Sequence, residues 1–148
     1  MKTATALEIA AHTARLVQLC ATFQAQYGRH YTLKPGSSAE VWSLYNQIHN
    51  QQIAIAQLLS QKAVETPHDG GHRWWEHEDM IDLSNAKALM QQVTHLIATC
   101  AYFEAETHET DWSYAIYCAE STIAGLLHPA ALQVALSSFQ VKSERYAG

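Results

Sequence analysis

Apolar residues recur at three- and four-residue steps along most of this chain, the spacing that gathers them on one face of an α-helix. Between Thr5 and Tyr27 the stripe is Ile9, Leu16, Cys20, Phe23 and Tyr27, with Val17 and Leu19 beside it, and Gly28 follows where a glycine ends a helix. Lys34-Pro35-Gly36 reads as a turn, and Ser37 with Glu40 has capping-box spacing, so a second helix is predicted to start near Ser38. Its stripe is Val41, Tyr45, Ile48, Ile55 and Leu59, flanked by Trp42, Leu44, Ile53, Ala56 and Leu58. This helix is expected to run on until Pro67 disfavours the helical region for Thr66. After a loop reaching to about Ile81, Asp82 or Ser84 caps a third helix carrying Ala86, Leu89, Val93, Leu96, Ile97, Cys100 and Phe103. Asp111 can cap a fourth, with Trp112, Ile116, Ala119, Ile123 and Leu126 or Leu127, closed by Gly125 and His128-Pro129. Leu132, Val134, Ala135, Leu136 and Phe139 form a last, shorter helix.

No period-two alternation persists long enough to make a strand, and most connections between the predicted helices are short. The expected fold is therefore all-α: an up-and-down antiparallel bundle of four main helices plus a shorter C-terminal helix, in a single domain over residues 1–148. An apolar content of 48% is enough for a core without staples. The three cysteines, Cys20, Cys100 and Cys118, are odd in number and fall within helical stripes, which points to buried free thiols and a reducing, cytoplasmic setting. No apolar run has membrane-spanning length.

Polar residues break the stripes at a few places. His12 lies between Ile9 and Leu16, the position of a hydrogen-bonded core or rim histidine, and His49 and Glu120 lie on the flanks of their helices. These three sit near the middle of their helices, so a bundle-core site made from them is geometrically open. Asn46, Gln47, Asn50, Gln51, Gln52 and Gln57 make the outer face of the second helix polar but uncharged, a surface suited to a homodimer.

Charge sharpens this picture. Of the fourteen acids behind the net charge of −5, six lie between Glu65 and Asp82 with one base, Arg73, and four lie between Glu104 and Asp111 with none. The helix between these stretches has about 20 residues, so they stand roughly 30 Å apart and cannot share one mononuclear site. Acidic corners on a mildly basic body disfavour direct binding to a nucleic-acid backbone and favour a cationic partner or a metal ion.

The first acidic stretch is chemically the richest part of the chain. Residues 67–79 hold His68, His72 and His77, the adjacent Trp74 and Trp75, the carboxylates Asp69, Glu76, Glu78 and Asp79, and the Gly70-Gly71 break. In an extended backbone adjacent indoles point opposite ways, so one can anchor the loop while the other meets a ligand. Aromatic anchors ringed by charge are typical of protein-binding hot spots. The leading expectation is a non-enzymatic binding protein, of the inhibitor, antitoxin, immunity or adaptor kind. It would present Trp74, Trp75, Asp69, Glu76, Glu78 and Asp79 to a protein with a basic surface, and would need no cofactor.

The alternative is a metal-binding protein or metal-dependent hydrolase using His68, His72 and His77 with neighbouring carboxylates on a divalent transition metal such as zinc. The spacing is permissive: Glu65-Thr66-Pro67-His68 has the Glu-x-x-His interval of di-iron bundles, but Pro67 breaks the helix that motif needs. Phosphate-binding glycine loops, nucleophile elbows and HExxH zinc motifs are missing from the sequence.

Overall fold

A computed structural model describes residues 1–28, 34–65, 83–105 and 111–127. Those residues form five α-helices packed against one another: α1 (Thr3–Tyr27), α2 (Ala39–Leu58), α3 (Gln61–Glu65), α4 (Leu83–Ala105) and α5 (Asp111–Leu126). No strand occurs among the described residues, so the all-α expectation holds. The shorter C-terminal helix expected over Leu132–Phe139 lies outside them.

The helix limits follow local chemistry. Gly28 takes φ +89° and donates its N–H to the Gln24 carbonyl at 2.9 Å, closing α1 in a backbone conformation that side-chain-bearing residues rarely adopt. The cap of α2 is one residue later than the capping-box spacing suggests. Ser38 accepts the Val41 N–H at 3.4 Å, whereas the Ser37 hydroxyl accepts the Lys34 N–H at 3.0 Å and tightens the preceding turn. Gly125 does not end α5, which continues through Leu126.

The predicted stripes form the core. Ile9, Leu16, Cys20 and Phe23 of α1 meet Ile48 and Ile55 of α2, Leu89, Leu96 and Cys100 of α4, and Ile123 and Leu126 of α5 in one buried cluster. Burying each large apolar side chain in such a cluster contributes about 1.5–3 kcal/mol before the cost of ordering the chain. α1 packs on both α2 and α4, α4 on both α1 and α5, and α5 also on α3, so α1 and α4 are the central pair.

Hydrogen bonds between distant parts of the chain tie these helices together. Thr3, at the start of α1, donates its N–H to Glu104, at the end of α4, at 2.7 Å, so α1 and α4 run in opposite directions. His12, near the middle of α1, is bonded to Gln51, in the second half of α2, at 2.7 Å, which ties these two helices side by side. The expected up-and-down order, in which each long helix reverses its predecessor, is not confirmed by these contacts.

The second predicted helix is also interrupted. α2 stops at Leu58, Leu59 is extended at φ −75°, ψ 159°, and the chain re-enters a helix at Gln61. Ser60 starts α3: its hydroxyl accepts the Ala63 N–H at 3.3 Å and its carbonyl accepts the Val64 N–H at 3.1 Å. Leu59, Ala63 and Val64 are all buried, so the corner turns apolar side chains inward from both of its arms.

Candidate functional site

The residues singled out for partner binding, Asp69, Trp74, Trp75, Glu76, Glu78 and Asp79, and those singled out for metal, His68, His72 and His77, all lie outside the described residues. The described chain holds both ends of the segment that carries them: α3 ends at Glu65 and α4 begins at Leu83. α4 has 23 residues, so Leu83 is roughly 34 Å from the end of that helix, where Glu104 meets Thr3.

The most unusual chemistry among the described residues is at the α2–α3 corner. Glu120, midway along α5, is 5% exposed, and one of its carboxylate oxygens accepts the Ser60 N–H at 2.9 Å. Burial pushes the Glu120 carboxyl above its ordinary range, and the Ser60 N–H and the Met1 amine oppose this only in part. One turn earlier on α5, the Lys62 ammonium stands 4.9 Å from the centre of the Tyr117 ring, a cation–π contact that ties α3 to α5.

Cys100 of α4 lies in the same electrostatic neighbourhood. Burial raises its pKa, the Met1 amine opposes the rise, and the negative charges of Glu120 and Glu104 reinforce it. A thiol held neutral in this way is a poor nucleophile, and Glu120 at this place is a carboxyl whose charged form is disfavoured by burial and which clasps a helix break. The flank position of Glu120 was legible from periodicity. Its partner was not, because the stripe through Leu58 and Leu59 carries no sign that the helix stops there.

The histidines on the helices go to separate places. His12 is bonded to Gln51, as expected of a core or rim histidine, and His95 is exposed. His49 stacks on Tyr45, with ring centroids 6.1 Å apart and planes 8° from parallel, and Trp42 meets the edge of Tyr45 at 5.9 Å. The bundle-core site imagined from His12, His49 and Glu120 is not assembled. Among the described residues no group of three or more His, Cys, Asp or Glu side chains is placed to hold a metal ion.

Two further expectations change. The uncharged face of α2 is narrower than its amide content suggests, because Gln52 is buried at 2% exposure and Gln51 turns to His12, leaving Asn46, Gln47, Asn50 and Gln57 outside. The second acidic stretch is partly committed within the fold, since Glu104 serves α1. Cys20, Cys100 and Cys118 are free thiols, the first two buried and the third half-buried. No helix among the described residues is long and apolar enough to cross a membrane. Comparison of the chain with protein-family models, with curated proteins and with solved structures returned no match.

Proposed function

We propose that this is a non-enzymatic binding protein whose four long helices form one antiparallel bundle, with the passage from α2 to α4 as its crossover. The bundle is a scaffold for the segment between α3 and α4, and that segment binds a protein with a basic surface. The observation that carries the reading is the concentration of six acids and one base within Glu65–Asp82, around the adjacent Trp74 and Trp75. The indoles supply apolar contact area at low conformational cost, while Asp69, Glu76, Glu78 and Asp79 steer a cationic surface towards them.

The commitment of Glu104 to Thr3 supports this choice between the two acidic stretches, because it gives the other stretch a structural task. Affinity capture with the full chain tests the proposal. Wild type should retain a basic protein that is lost at high salt, and Trp74→Ala/Trp75→Ala, verified as folded by circular dichroism, should not. Equal recovery of the same proteins by both would overturn it.

A second reading rests on His68, His72 and His77, three imidazoles within ten residues of one another and interspersed with carboxylates. In that reading the segment holds a divalent transition metal. Elemental analysis of tag-free protein decides: on the order of one equivalent of metal supports it, and less than about a tenth of an equivalent removes it.

A further inference from the structure

Glu120 is the buried carboxylate among the described residues, and its hydrogen bond reaches the backbone at the point where α2 breaks and α3 begins. The bond spans 60 positions of sequence and joins α5 to the corner where α3 begins. A neutral carboxyl tolerates this enclosed place. An ionised one gains much more from water than a single backbone N–H returns to it.

The groups around Glu120 do not reverse that balance. Ser60 contributes the N–H from the corner. Lys62 of α3 holds its ammonium over the Tyr117 ring of α5. Cys100 of α4 is a neutral thiol, Glu104 at the end of α4 carries the same sign of charge as ionised Glu120, and the Met1 amine at the start of α1 provides partial compensation.

We propose that Glu120 is a proton-operated latch: neutral, it holds the α2–α3 corner closed on α5, and ionised, it favours the opening of that corner. The opening is local. Ser60 and α3 separate from α5, exposing Leu59, Ala63 and Val64, while the α1–α4 core stays packed on its own apolar stripes, Ile9, Leu16, Leu89 and Leu96 among them. The latch operates whether or not residues 66–82 bind a partner.

Backbone amide exchange on the full chain, corrected for the intrinsic rate at each pH, reads the latch directly. In wild type, protection of the amides from Ser60 to Val64 should fall roughly tenfold or more between about pH 5 and about pH 8, while amides from Leu16 to Phe23 keep theirs. In E120Q, which retains an acceptor for the Ser60 N–H and has no charge, corner protection should stay flat over the same range. Corner protection in wild type that does not change with pH would overturn the proposal, as would the same fall in E120Q. If circular dichroism shows E120Q unfolded, the carboxyl ¹³C titration of Glu120 in wild type decides. A midpoint coinciding with the loss of corner protection supports the latch, and a midpoint separated from it by more than about one pH unit removes it.

Discussion

The carboxylate of Glu104 accepts the backbone N–H of Thr3 at 2.7 Å, so the last turn of α4 caps the first turn of α1 across 101 positions of sequence. α1 needs this help. Lys2 precedes it without a side-chain cap, and its first turn contains no acid. A negative charge at a helix N-terminus is favourable through both the exposed N–H groups and the helix dipole. The Thr3 hydrogen bond accordingly holds the Glu104 carboxyl below the usual carboxylate range, with Lys2 and the Met1 amine adding to the effect.

For a depressed carboxyl the linkage runs in one direction. The stabilisation from Glu104 is present above the unfolded carboxyl's ordinary pKa and is lost as pH falls through the lower folded value. Glu104→Ala should therefore speed amide exchange at Thr3 and the next turn of α1 at neutral pH, and the difference from wild type should shrink in acid and in high salt. Identical exchange of the two proteins at neutral pH would show that the contact does not hold in solution.

Glu120 has the opposite sign. Its carboxyl is raised above the ordinary value of 4.5, so its contribution is fully present below that value and is lost as pH rises through the folded pKa. Urea denaturation of Glu120→Gln should show a stability that gains on wild type as pH rises from about 4.5 to about 8. Glu120→Ala removes the acceptor of the Ser60 N–H and should cost about 1–3 kcal/mol. A cost under about 0.5 kcal/mol would mean that water replaces the carboxylate at no loss.

Burial pushes the Cys20 thiol up to about 12 and raises Cys100 for the same reason. At pH 8 about one Cys20 in ten thousand is thiolate, which is the reactive form. Alkylation of native protein should leave Cys20 and Cys100 unmodified over times that label a free thiol completely, and denaturant should expose both. Mass-spectrometric detection of modified Cys20 in folded protein would contradict this placement.

Packing and capping differ in scale. Phe23 is 1% exposed in the central helix and contacts Tyr27 with ring centroids 5.1 Å apart. Phe23→Ala should lower stability by about 3–5 kcal/mol through lost burial and a residual cavity. Ser38→Ala removes the cap of α2 and should cost about 1 kcal/mol. Equal denaturation midpoints for these two variants would place Phe23 outside the core.

Much of the described scaffold is legible in the sequence. Ile9, Leu16, Cys20 and Phe23, and likewise Leu89, Val93, Leu96 and Cys100, were placed in the core by spacing alone, and they are buried. His12 was expected to be a hydrogen-bonded core or rim residue, and it is bonded to Gln51. The clasp at Glu120 was illegible because a carboxylate on the flank of a stripe looks the same whether it faces water or a broken helix.

The pattern of side chains alone determined that the described segments are helical, which face of each long helix is apolar, and that α1 ends at Gly28. Those properties depend on residues three or four positions apart, or on one residue's backbone freedom, so they are written locally. Tertiary structure decided the interruption at Leu59–Ser60, the inward turn of Gln51, and the assignment of Glu104 to the start of α1. Each of these depends on a partner contributed by a distant part of the chain: Glu120 for Ser60, His12 for Gln51, Thr3 for Glu104. Helix periodicity reports which face is buried and carries no record of which group will stand opposite it.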